Sequence, residues 1–171
     1  GGTTLGDDAI TLSDATGGTS SGTATSVSDL TGLTAAATNG GNVQLSGDIT
    51  LTGTLSINNK ELSIDLNGHT ITAANNQRAF NINGGTLEIK DSVGNGIIQG
   101  NGTVTGRGGA IYMEGSGSAL TISGGTIQGF TVSKHGGGVY MSGGTFTMTG
   151  GKIYNCSSSG TDLSGGGVYM A

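Results

Sequence analysis

Three tyrosines, Tyr112, Tyr140 and Tyr169, sit in the near-identical hexapeptides "GGAIYM" (Gly108–Met113), "GGGVYM" (Gly136–Met141) and "GGGVYM" (Gly165–Met170). Arg107 and His135 stand at equivalent points before the first two, and Ser164 before the third. Tyrosines brought into one column have two uses. Exposed ring faces make a stacking platform for sugar rings, with Arg107 and His135 as a polar rim. Alternatively, like side chains stack on one another and support the sheet that carries them. The spacing favours the second use, and any ligand site is expected on these five residues.

Other chemistry finds less support. Hydrolysis of a glycosidic bond needs two carboxyl groups facing one groove, one as acid and one as base. Glu88 and Glu114 have no evident carboxylate partner, and Asp65 and Lys90 read as a surface ion pair across neighbouring turns. Asp7, Asp8 and Asp14 lie in a loose N-terminal segment without a calcium-loop pattern. Thr121, Thr147 and Thr149 begin a threonine array of the kind that binds ice, but Glu88 and Lys90 interrupt it. No catalytic residue, metal site or cofactor is assigned, and the chain is not read as an enzyme.

The elements that would position the tyrosines follow from a repeat. Met113, Met141 and Met170 are 28 and 29 residues apart. Two further apolar segments recur between them: "LTIS" and "FTMT" (Leu120, Phe146 onward), then "TIQGF" and "KIYNC" (Thr126, Lys152 onward). Weaker copies precede them at Phe80, Leu87 and Ile97 and at Leu55, Leu62 and Thr70. Each segment alternates apolar with polar residues, the period of a strand with one buried face. Glycine pairs and Asn67-Gly68 punctuate the segments, supplying corners where the backbone takes positive φ. Three strands, three corners and a return to phase after about 28 residues describe an all-β, single-stranded parallel β-helix, with equivalent strands about 4.7–4.9 Å apart. Inward residues would be Leu55/Ile57, Phe80/Ile82, Ile111/Met113 and Val139/Met141 on the first strand. The second contributes Leu62/Ile64, Leu87/Ile89, Leu120/Ile122 and Phe146/Met148, and the third Ile71, Ile98, Ile127 and Ile153. Each buried aliphatic side chain stabilises by roughly 1.5–3 kcal/mol. Gln99 and Gln128 would stack as an amide ladder, and Cys156 matches the buried position of Phe130.

Composition agrees. Glycine accounts for 37 of 171 residues and proline is absent, without the Gly-X-Y period of collagen. The net charge of −5, with six Lys+Arg, leaves no basic patch for nucleic acid. No apolar run is long enough to span a membrane, and the single Cys156 excludes a disulfide framework. Residues 1–25 are low in complexity, a linker or an extra strand in which "AITLS" (Ala9–Ser13) echoes "DITLT" (Asp48–Thr52). Residues 26–42 are read as a capping segment, with a short amphipathic helix over 29–38 and Ser28 as its N-cap, covering the first turn. Residues 43–171 form the β-helix, which ends inside a repeat with no cap after Met170. That predicts a fragment of a longer solenoid, or a subunit whose open end another chain covers.

The motifs "GGAIYM", "LTISGGTIQGF" and "LNGHTIT" resemble those of bacterial right-handed parallel β-helix surface proteins, adhesins and polymorphic outer-membrane-protein-like repeats, in which "GGA-[ILV]" recurs. Here that tetrapeptide is Gly108-Gly109-Ala110-Ile111. The F-x-x-N motif those families carry just before it is missing: Phe130-Thr131-Val132-Ser133 lacks the asparagine. The resemblance spans residues 43–171 and implies a right-handed coil, secretion, and an adhesive or structural role at the bacterial cell surface or in an extracellular fibre. The partners expected are further copies of the chain, stacked end to end, or surface glycans. A carbohydrate-binding or polysaccharide-degrading module is the alternative.

Overall fold

The computed structural model describes residues 22–160 and 165–171. The "AITLS" segment and Ser164 lie outside the described residues. Strand β1 (Thr25–Val27) precedes helix α1 (Leu30–Asn39). A first turn follows: β2 (Gly41–Leu45), β3 (Ile49–Thr50) and β4 (Leu55–Asn58). The second holds β5 (Glu61–Asp65), β6 (Thr70–Thr72) and β7 (Phe80–Asn83). The third runs through β8 (Thr86–Lys90), β9 (Ile97–Gln99), β10 (Thr103–Val104) and β11 (Ile111–Glu114). The fourth comprises β12 (Ala119–Ile122), β13 (Thr126–Gln128), β14 (Thr131–Val132) and β15 (Val139–Met141). The last described turn comprises β16 (Thr145–Met148), β17 (Lys152–Tyr154), β18 (Ser157–Ser158) and β19 (Val168–Met170).

Equivalent strands pair in parallel from turn to turn, giving an all-β, solenoid-like fold of four sheets. Their orders are β1-β2-β5-β8-β12-β16, β3-β6-β9-β13-β17, β4-β7-β11-β15-β19 and β10-β14-β18. The fourth sheet is an addition to the three anticipated. Its strands are two residues long, too short to show a period, and they exist only from the third turn on. The intervals also vary. Ser63 and Glu88, neighbours across one turn, are 25 positions apart, while Gln99 and Gln128 are 29 apart.

Like stacks on like inside the coil. Leu62, Leu87, Leu120 and Phe146 form one file, and Ile49, Ile71, Ile98, Ile127 and Ile153 another. Most of these core side chains are fully buried, but Phe146 and Ile153 in the last described turn are only half-buried.

Helix α1 packs on β2 and β4, burying Leu33, Ala36 and Ala37 over the first turn. Its N-cap is Asp29 rather than the anticipated Ser28: the carboxylate oxygen accepts from the Gly32 N–H at 3.0 Å. Gly32, a poor helix former, has a packing reason: a Cβ there would come within 3.1 Å of a Val27 methyl. Val27, counted above in the capping segment, belongs to β1, which pairs with β2. The "GGA" and "GGG" motifs have an equally specific cause. Gly108, Gly136 and Gly165 all take positive φ at one stacked corner (73, 71 and 62°), and a Cβ on Gly109 would run into the carbonyl oxygen of Gly137 in the next turn.

Candidate functional site

The register places Ser56, Asn81, Tyr112, Tyr140 and Tyr169 in one outward column along β4, β7, β11, β15 and β19. The tyrosine rings stack along it. Tyr112 and Tyr140 have centroids 5.3 Å apart with planes 16° from parallel, and Tyr140 and Tyr169 are 5.6 Å apart at 6°. The glycine corners before each strand let the turns approach closely enough for this contact.

The corner residues join the column one turn ahead of their own position. The Arg107 guanidinium lies 5.5 Å from the centre of the Tyr140 ring, and the His135 ring stacks on Tyr169 at 4.7 Å and 17°. All five anticipated residues therefore meet in one assembly. A sixth, Arg78, was not anticipated. Its guanidinium sits 5.1 Å from the Tyr112 ring centre, and its Nε donates to Gly108 O at 3.0 Å with Nη2 donating to Arg107 O. Burial pushes its pKa down from the usual guanidinium value, and Tyr112 opposes that shift. Arg78 occupies the same role as Arg107 and His135, one turn earlier, but it lies in "NNQRAF", without the glycine motif that marks the others.

This geometry limits what the column can do. Tyr112 has Arg78 and Tyr140 as ring neighbours, and Tyr140 has Tyr112, Tyr169 and Arg107. Tyr140 is 7% exposed, although Arg107 is exposed. The ring faces are turned along the stack. Each aromatic contact of this kind contributes about 0.5–1.5 kcal/mol beyond area burial, and each exposed cation–ring contact about 0.5–1 kcal/mol. Tyr169 is contacted by Tyr140 and His135, both from the preceding turn. Two polar atoms in this assembly, Asn81 Oδ1 and His135 Nδ1, are buried without a hydrogen-bond partner.

Glu88 and Glu114 do not converge. Glu88 accepts from Ser63 Oγ at 3.0 Å on one sheet, and Glu114 from Asn83 Nδ2 at 3.4 Å on another. Asp65 is a neighbour of Lys90 in register, yet it is not a surface ion pair. It is buried and accepts from Gln44 Nε2 (3.0 Å) and from the backbone N–H groups of Asn67 and Ser92 (both 2.9 Å). Burial raises its pKa, but the hydrogen bonds from Gln44, Ser92 and Asn67 together outweigh that and leave it below the ordinary carboxylate value. His69 Nδ1 lies 3.4 Å from Asp48 Oδ1. Among the described residues, no three His, Cys, Asp or Glu side chains come together as metal ligands. Gln128 Nε2 donates to Gln99 Oε1 at 2.9 Å, forming the amide ladder, and burial raises the pKa of the Cys156 thiol despite nearby backbone hydrogen bonds. A cavity of about 410 Å³ lies beside α1, far from the tyrosines, and its one carboxylate, Asp29, is engaged as the helix cap.

Fold and site together define a parallel β solenoid with an aromatic–cation ladder on one face. No protein-family model matches the chain, and comparison with curated proteins and with solved structures likewise finds no match. No helix among the described residues is long and apolar enough to cross a membrane.

Proposed function

We propose that the chain is a structural and adhesive module: a right-handed parallel β-helix of about 28 residues per turn, as between Tyr112 and Tyr140, from a secreted bacterial cell-surface protein or extracellular fibre. Right-handedness rests on the strong bias of parallel crossover connections toward that hand. The observation that carries the function is the ladder itself. Tyr112, Tyr140 and Tyr169 spend their ring faces on one another and on Arg78, Arg107 and His135, which suits a stiff rod. Parallel strands that pair in register from turn to turn would also suit end-to-end stacking of copies. Helix α1 packs over the first turn.

A second reading, a carbohydrate-binding module, draws on the two buried, unpartnered polar atoms of Asn81 and His135 beside the ladder. A glycan array probed with the wild-type chain and with Tyr140→Ala separates the two. The structural reading predicts no specific retention of either protein. Specific binding that is lost in Tyr140→Ala would replace it with the second.

A further inference from the structure

The chain contains five Asn-Gly pairs, at Asn39, Asn67, Asn83, Asn95 and Asn101. In such a pair the glycine nitrogen, unhindered by a Cβ, can attack the asparagine side-chain carbonyl carbon. The attack requires the glycine N–H to lose its proton and the nitrogen to turn toward that carbon. A hydrogen bond from this N–H to a fixed acceptor opposes both, and a carboxylate acceptor also opposes the negative charge developing on nitrogen.

Four of the five nitrogens are held in this way. Gly40 N–H donates to Ala36 O at 2.7 Å, closing helix α1. Gly84 N–H donates to Ser118 Oγ at 2.7 Å. Gly68 and Gly96 donate to the two oxygens of one carboxylate, Asp91, at 2.8 and 2.7 Å, so this single side chain guards two pairs in adjacent turns. The Gly102 N–H has no acceptor among the described residues. Exposure alone would not distinguish the sites, because Asn39, Asn83 and Asn95 are exposed as Asn101 is. The Asn101 amide is held by one long contact, Nδ2 to Ala73 O at 3.4 Å.

We propose that Asn101 is the site of spontaneous conversion to isoaspartate and aspartate in this protein. The Gly102 nitrogen gives its proton to solvent and forms a bond to Asn101 Cγ. The side-chain nitrogen takes up a proton and leaves as ammonia, closing a five-membered imide. Water then opens the ring, hydroxide adding to one carbonyl carbon and a proton returning to nitrogen, with no change of oxidation state. Opening at the backbone carbonyl yields isoaspartate, which inserts a carbon into the main chain between β9 and β10. It would shift the Asn101 carbonyl that accepts from Asn76 N at 2.7 Å and the Thr103 N–H that donates to Asn76 Oδ1 at 3.0 Å. Each event also adds one negative charge.

The test is a time course of the intact folded chain at mildly alkaline pH, with peptide mapping and isoaspartate detection at all five pairs, beside the same chain in denaturant. In the folded chain Asn101 should convert about tenfold faster than the other four, the scale set by one charge-assisted or buried hydrogen bond. In denaturant the five rates should fall together. Asp91→Ala should release Asn67 and Asn95 while leaving Asn101 unchanged. The proposal is overturned if any other pair keeps pace with Asn101 in the folded chain, or if folding protects Asn101. Should Asn67 and Asn95 stay intact in Asp91→Ala, hydrogen bonding is not what selects the site.

Discussion

The second turn and the last described turn are built from the same repeat and are buried very differently. In the second turn Ile64, Ile71 and Phe80 are fully buried, with strands on both sides and α1 closing the stack beyond the first turn. In the last described turn Met148, Tyr154 and Met170 are 40%, 63% and 66% exposed, although Met148 and Met170 continue inward files. Alternation of apolar residues therefore sets which way a side chain points, while a neighbouring turn on each side decides whether it is buried. Stability in such a stack is a sum over interfaces between turns.

The largest effect expected from this difference comes from deleting core volume. Phe80→Ala should cost about 3–5 kcal/mol and Ile153→Ala about 1–2 kcal/mol, since the half-buried site leaves a smaller cavity. Denaturant unfolding monitored by circular dichroism checks this, and equal losses would mean the end turn is as well packed as the middle. Next is Gly109→Ala, where the new methyl meets the Gly137 carbonyl of the following turn. A loss of about 2–3 kcal/mol is expected, against no change for Gly117→Ala, whose Cβ would meet nothing within 4 Å. Smallest is Asp29→Ala, which removes the cap of α1 and should cost about 1 kcal/mol. Hydrogen exchange should then quicken in β2 and β4, on which α1 packs.

Much of this was legible before the fold was known. Strands of three to five residues with clear alternation, bounded by glycine, announced the three main sheets, and the "YM" repeats announced the tyrosine register. The remaining features lack a period or a motif. Thr103–Val104 and its equivalents are too short to alternate, so the fourth sheet left no trace. Arg78 plays the part of Arg107 without the glycines that mark it. Asp65 alternates like a surface residue, and only the turn folded back over it supplies the Ser92 N–H that makes burial tolerable. Ser28 and Asp29 are both competent caps, and the choice fell to the residue whose side chain reaches Gly32.

In-register stacking of successive turns is tested most directly by engineered disulfides in a Cys156→Ser background. Thr121 and Thr147 are partners in adjacent strands, so their Cα atoms should lie about 4.8 Å apart, within disulfide reach. Glu88 and Thr147 are separated by an intervening strand, which puts them at about twice that distance, beyond reach. Mild oxidation should close the Thr121→Cys/Thr147→Cys pair within one chain and leave Glu88→Cys/Thr147→Cys open. Closure of the second pair, or failure of the first, would contradict the stacked coil.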